Sequence, residues 1–310
     1  MSEVTNSNIA SCYGLQLADG QEWNIIAAGR TKQWVEKLTR IMELRSQPMN
    51  GSPKLIFTSE RSSEIDGNDP TTGLDPDLRM SIPDHDWLLL DFHLLKLWVH
   101  SDVPDMIYEI DHEGEHELTT VRMWFALLPV YERIMRTGGI PLHAALIEKD
   151  GQGFILSGSG SSGKTTCCNR LPSPWRALCD DEILVAYSDR QQYTAHPFPT
   201  WSDYLWRRSE RTWNVERNIP VSAIFFLQQS DVDEATRIGA GEAAIRINRS
   251  ALQVFDKGWR KLDPEAAELR RKKLFKNSCL IAKHIPAFTL KVKPDGRFWD
   301  ELEKVNMYAT

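Results

Sequence analysis

Cysteine is scarce and unpatterned in this chain. Five occur among 310 residues, an odd number, and no two form a C-x-x-C pair. That removes the usual spacing of a structural zinc site and reads against a disulfide framework. Cys167 and Cys168 are adjacent, and adjacent cysteines rarely bridge each other. The expected role of all five is small apolar filling in a reducing compartment. Long apolar runs are also missing: no stretch approaches the roughly 20 residues a membrane helix needs. The opening Met1-Ser2-Glu3-Val4-Thr5-Asn6 lacks a basic-then-apolar signal pattern, so a cytoplasmic location is expected. There is no basic excess either. The net charge of −6 argues against a general nucleic-acid binder. No internal repeat is visible.

What is present is an ordinary globular composition, with 41% apolar residues to fill a core. The length suits one large domain or two ordinary ones, and composition divides the chain. An N-terminal α+β domain is expected over residues 1–136 and an α/β domain with a mixed sheet over 137–310. In the first part, 33–46 reads as an amphipathic helix with Trp34, Leu38, Ile41 and Leu44 on one side. The polar residues 59–80 read as a loop or disordered excursion. Trp87–Leu90 and Ile107–Ile110 read as strands. The helical spacing of Val121, Trp124, Phe125, Leu128, Tyr131 and Met135 predicts one helix over 118–135, stopped at Gly138-Gly139.

In the second part, runs over 140–148 and 153–157 flank Asp150-Gly151, a hairpin turn pair. Val221–Leu227 reads as a buried strand and 240–255 as a helix. Asp263 caps a long basic helix to Lys283, with Pro264 in its first turn. Leu269, Leu274, Phe275 and Leu280 are expected on its inward side. Its cations (Arg260, Lys261, Arg270, Arg271, Lys272, Lys273 and Lys276) read as a wet face, with a dock for an acidic peptide as the alternative.

One segment outweighs the rest. Gly158-Ser159-Gly160-Ser161-Ser162-Gly163-Lys164-Thr165 fits G-x-x-x-x-G-K-[ST], with an apolar strand before it and a helix-compatible stretch through Thr166 after it. Small residues let successive backbone N–H groups converge on an anion. Lys164 brings a charge to the outer phosphates and Thr165 a hydroxyl to magnesium. The same glycines spell G-x-G-x-x-G. A dinucleotide site, however, wants an acid closing the second strand, whereas Asp180 and Asp181 precede the apolar run Ile183–Tyr187. The strand feeding the loop is expected to be half of an antiparallel hairpin.

A nucleotide site needs a metal partner and a group that activates the acceptor. Asp180-Asp181-Glu182 follows Lys164 by sixteen residues. One acid is placed to hold magnesium and the other to take a hydroxyl proton; the plain alternative is a solvated acidic turn. His143 lies on the other hairpin strand. It reads either as a hydrogen-bonded core histidine or as a partner of the acid pair or of a phosphate oxygen. Arg207, Arg208 and Arg211 are candidates to neutralise phosphate, and Trp201 to stack on a base.

The loop, Leu178-Cys179-Asp180-Asp181-Glu182 and His143 before the loop together resemble the HPr kinase/phosphorylase family. The likeness to ATP-dependent phosphoenolpyruvate carboxykinases is more distant. It covers about 140–230, and Ala144 stands where the family often has glycine. The layout, with His196-Pro197-Phe198-Pro199-Thr200-Trp201, is similar to HPr-kinase-like proteins encoded beside modified-peptide cassettes, the ScmC type and lasso-peptide kinases among them. The resemblance implies an HPr-kinase/carboxykinase-like phosphate-loop domain that binds ATP through residues 158–166 and holds Mg2+ with Thr165 and Asp180. Asp181 is taken as the base toward a serine hydroxyl, the reverse assignment of the two acids remaining open. The implied partner is a peptide or small protein, with neither nucleic acid nor membrane involved. Hexamers among relatives bring a homo-oligomer into view. The glycine- and arginine-rich signature serving phosphorolysis has no counterpart here, so the resemblance does not extend to that activity or to HPr as substrate. A nucleotide-binding scaffold without kinase activity is the rival reading, and carboxykinase-like small-molecule chemistry a third.

Overall fold

The computed structural model describes residues 11–59, 69–111, 115–160, 162–259 and 263–307. Ser161, Arg260, Lys261 and residues 60–68 lie outside the described residues. The chain is α/β with mixed sheets and forms two compact units. The first takes the described residues up to Gln16, from Glu22 to Ala126 and from Tyr204 to Glu210. The second takes Leu17–Gln21, Leu127–Asp203 and the described residues from Arg211 onward.

The first unit contains β1 (Ser11–Gln16), β2 (Glu22–Ala27), α1 (Lys32–Ile41), β3 (Lys54–Ser59), α2 (Pro76–Met80), β4 (Trp87–Asp91), β5 (Lys96–His100), β6 (Met106–Ile110) and α3 (His116–Phe125). Its six-stranded sheet has the order β1-β2-β3-β6-β5-β4, parallel only at β2-β3 and β3-β6. The central strands are apolar on both faces because both are covered. Ile26, Ile56, Trp98 and Ile107 face a cluster with Leu74, Leu78 and Ile82. Phe57, stacked on Tyr108 at 4.6 Å, meets Trp34 of α1 instead. The α1 helix stops at Ile41, short of the expected 46, because Glu43 turns into the left-handed region with φ 53°.

The single helix expected over 118–135 is two: α3, and α4 (Leu128–Arg136). Pro129 lacks an N–H and its ring crowds the preceding turn, so it is accommodated in the first turn of a new helix rather than inside one. The apolar stripe runs across the break and conceals it.

The second unit continues with β7 (Ile140–Lys149), β8 (Gln152–Ser157), α5 (Lys164–Arg170), β9 (Arg176–Cys179), β10 (Glu182–Tyr187), β11 (Tyr193–Phe198), the first three residues of α6 (Trp201–Leu205), β12 (Ile219–Gln229), β13 (Glu234–Arg237), α7 (Ala240–Trp259), α8 (Pro264–His284), β14 (Ala287–Val292) and α9 (Phe298–Met307). The eight-stranded sheet has the order β11-β10-β7-β8-β12-β14-β13, with β9 also on β7. β7 and β8 form the hairpin that Asp150-Gly151 announced, both turn residues having positive φ (53° and 76°). The other side of β8 pairs in parallel with β12. On one face Ala145, Ile147, Phe154, Leu156 and Phe225 pack against Cys167 of α5 and Phe298 and Leu302 of α9. α7 and α8 pack with each other, and both touch β7. Asp263 caps α8 by accepting from the Ala266 N–H at 2.9 Å.

The inward side of α8 differs from expectation. Ala267, Leu274, Asn277, Ser278 and Ile281 are buried, while Leu269 is 70% exposed and Phe275 46%. Asn277 takes an inward position because its amide donates to the Met135 and Gly139 carbonyls at 2.8 and 3.0 Å, satisfying the end of α4.

Candidate functional site

Strand register builds the site. His143 on β7 pairs with Glu182 on β10, and Ala144 pairs with Ser157, the last residue of β8. One step further along that register Gly158 falls opposite His143. Three neighbouring strands, about 4.8 Å apart, therefore bring the acid motif, the histidine and the glycine-serine loop to one end of the sheet. β9 and β10 both run antiparallel to β7 in one register, with Cys179 opposite Leu146 and Glu182 opposite His143. Asp180 and Asp181 are the two-residue interruption between them. Their side chains leave the ladder where the loop begins.

The loop itself is tight. A Cβ on Gly158 would lie 2.5 Å from the Ser162 hydroxyl oxygen, so a larger residue there would displace the loop. Gly163 adopts φ 98°, a left-handed conformation that favours glycine, and leads directly into α5. The Ser162 N–H donates to the Ser159 carbonyl at 3.1 Å. Its hydroxyl oxygen is buried and has no hydrogen-bond partner among the described residues. Lys164 is 7% exposed. Its ammonium donates to the Gly158 carbonyl at 3.1 Å and to the Ser159 carbonyl at 3.4 Å. Thr165 and Thr166 are exposed on the first turn of α5.

The ammonium has a third partner, Nε2 of His143, at 3.1 Å. On the far side of the ring, Nδ1 stands 3.1 Å from Oδ1 of Asp181. A neutral imidazole with its proton on Nδ1 matches both: Nε2 accepts from the lysine and Nδ1–H points at the carboxylate. The Ser250 hydroxyl fixes the strand here by donating to the His143 carbonyl at 3.0 Å. Burial pushes the Lys164 ammonium below the ordinary lysine range, and the charges of Asp181 and Asp180 oppose that shift. The Thr200 hydroxyl donates to Oδ1 of Asp180 at 2.7 Å. Among the described residues, neither Oδ2 of Asp180 nor Oδ2 of Asp181 accepts a hydrogen bond. Behind the pair, the buried Tyr131 hydroxyl donates to Glu182, and burial holds that phenol well above its usual range.

The family model of SynChlorMet cassette protein ScmC matches residues 106–307. The chain belongs to this family. No curated protein matches it.

In this ScmC family member, Lys164, His143 and Asp181 are in contact, and Asp180 stands beside them. Of the other candidates, Arg211 donates to the Ala177 and Leu178 carbonyls at 3.2 and 2.9 Å, along the strand leading into the acids. Arg207 and Arg208 fall in the first unit. Trp201 is buried rather than open for stacking. His196 is fully buried: Nδ1 donates to the Val215 carbonyl at 2.8 Å and Nε2 accepts from the Ala18 N–H at 3.1 Å. Burial lowers its pKa to about 4. It is a core histidine. Burial also raises the thiols of Cys167 to about 11 and Cys179 to about 12, as suits apolar filling. Among the described residues, no three His, Cys, Asp and Glu side chains cluster as a metal site, and no helix is long and apolar enough to cross a membrane.

Thr200 and Ser250 escaped the sequence reading. Thr200 reaches the site through strand register. β10 and β11 pair with Glu182 opposite Phe198, so two steps on Asp180 falls opposite Thr200.

Proposed function

We propose that this chain is a magnesium- and ATP-dependent kinase that transfers the γ-phosphoryl group to a serine or threonine hydroxyl of a peptide or small protein, in modified-peptide biosynthesis. The carrying observation is the series Lys164–His143–Asp181 at the end of a strand-loop-helix of phosphate-loop sequence. In this reading residues 137–310 are an HPr-kinase/carboxykinase-like phosphate-loop domain, and residues 1–136 serve partner recognition in a cytoplasmic, homo-oligomeric protein. The peptide acceptor rests on the likeness to HPr-kinase-like proteins encoded beside modified-peptide cassettes.

The residues present fit the cofactor. The orphaned, buried Ser162 hydroxyl and the left-handed Gly163, whose Cβ position has nothing within 4 Å, suit an anion with acceptor oxygens, and the half-satisfied Asp180 and exposed Thr165 suit a hard cation that keeps waters. When bound, ATP would supply the phosphoryl group and Mg2+ would offset its charge. The chain's own residues do the rest. Lys164 directs a largely desolvated charge at the loop, where it is worth more than in water. Thr200 orients Asp180 by holding one of its oxygens. His143 steadies Oδ1 of Asp181, leaving Oδ2 to accept the proton of the acceptor hydroxyl. Such positioned base catalysis contributes about 10²–10⁴ in rate.

The test is mass spectrometry of candidate peptides after incubation with ATP and magnesium. A gain of one phosphate, lost in Lys164→Ala, is expected. Nucleotide binding with no transfer to any peptide would favour the scaffold reading instead.

A further inference from the structure

Outside this site, α4 and α8 border a cleft. It measures about 600 Å³, within the range of real ligand sites. Met135 and Leu269 supply an aliphatic floor and lip. Arg136, Lys272, Lys273 and Lys276 line it, with Arg270 held against Glu132 at 3.0 Å. Among the described residues five cations thus converge with one carboxylate, on a chain of net charge −6. Lys272 is paired with Glu268 at 2.6 Å. Arg136, Lys273 and Lys276 have no ion-pair partner among the described residues.

We propose that this cleft docks an acidic peptide segment and that this segment belongs to the kinase's acceptor. Only the second part rests on the reading above. Arg270, Lys273 and Lys276 recur every three residues, a rise of about 9 Å along the helix. Carboxylates on alternate residues of an extended peptide are spaced about 6.7 Å apart, so two or three of them span that row. Leu269, exposed at the lip, offers an apolar side chain of the peptide a partner that a small anion could not use. Among the described residues no aromatic side chain lines the cleft, and stacking platforms are what single-stranded nucleic acid requires. The cleft also lies near the reaction end of the sheet. Asn277 ties α8 to the Gly139 carbonyl, and His143 follows four residues later along β7, about 13 Å of extended chain. A docked segment therefore needs only a few further residues to present a hydroxyl to Asp181.

The experiment is fluorescence anisotropy with a short fluorescein-labelled peptide rich in Glu and Asp, carrying one Leu and one Ser. Wild type is expected to bind it and to release it as salt rises. Lys273→Glu with Lys276→Glu should weaken binding at least about tenfold with circular dichroism and nucleotide affinity intact, whereas Lys32→Glu on the first unit should not. Binding by the double variant within about twofold of wild type would overturn the proposal, as would no binding by wild type. Equal binding of a Lys-rich peptide or a single-stranded oligonucleotide would overturn it too. Peptide bound as expected but never phosphorylated keeps the dock and removes the kinase. Phosphorylation unaffected by the double variant keeps the kinase and removes the dock.

Discussion

His196 offers a quantitative check on the second unit. It is buried without charge, its Nδ1–H on the Val215 carbonyl and its Nε2 accepting from the Ala18 N–H. Burial lowers its pKa from the ordinary 6.5 to about 4, against the weaker opposing effects of the Val215 hydrogen bond and the Asp19 charge. Above pH 6.5 neither folded nor unfolded chain holds the proton, and the residue adds no slope. As pH falls below 6.5 the unfolded chain takes up a proton that the folded chain refuses, so stability falls until about pH 4. That interval, at about 1.4 kcal/mol per pH unit, amounts to about 3 kcal/mol. The assay is urea unfolding at a series of pH values for wild type and His196→Gln. The glutamine has a donor and an acceptor but does not titrate. The variant costs stability at pH 7, yet the difference between the proteins should shrink, and can reverse, toward pH 4. Parallel curves across that range would refute the assignment of a neutral, desolvated imidazole.

Other outcomes follow from the same geometry. Lys164→Ala removes the buried ammonium and should weaken nucleotide binding about 10- to 100-fold, consistent with the worth of a charge-assisted contact; a titration with fluorescent nucleotide in magnesium reads it. Thr200→Val deletes the donor on Asp180 and should lower turnover about tenfold, with a steeper magnesium dependence, while chemical denaturation shows little change. Asn277→Leu strands two carbonyls and should cost about 2–3 kcal/mol in urea unfolding.

The parts of this fold that local chemistry dictates were legible. Asp150-Gly151 specified a hairpin because both residues tolerate positive φ, and the hairpin put β7 beside the loop. Asp263-Pro264 marked the start of α8. The apolar run 221–227 lies within β12, where Ala223–Phe226 are buried and Val221, Ser222 and Leu227 half-buried. Periodicity misled where it crossed a boundary: the stripe through 118–135 continues over Pro129 although the helix does not. On α8, hydrophobicity alone placed Leu269 and Phe275 inward, but the need to satisfy backbone carbonyls gave an inward position to Asn277. At the site, the hairpin put His143 beside the loop, and the family resemblance, not spacing, joined it to the acids. Spacing could not show which acid His143 faces, because that follows from the interruption between β9 and β10. Thr200 depends on the register of a third strand, which no local motif records.

The central claim is that Asp181 receives the proton while Lys164 and the loop hold nucleotide, and Asp181→Asn separates the two functions. With transfer of labelled phosphate from ATP to a serine peptide as the readout, the variant should bind nucleotide within about twofold of wild type and transfer about 10²–10⁴-fold more slowly. Transfer at the wild-type rate by Asp181→Asn would contradict the account.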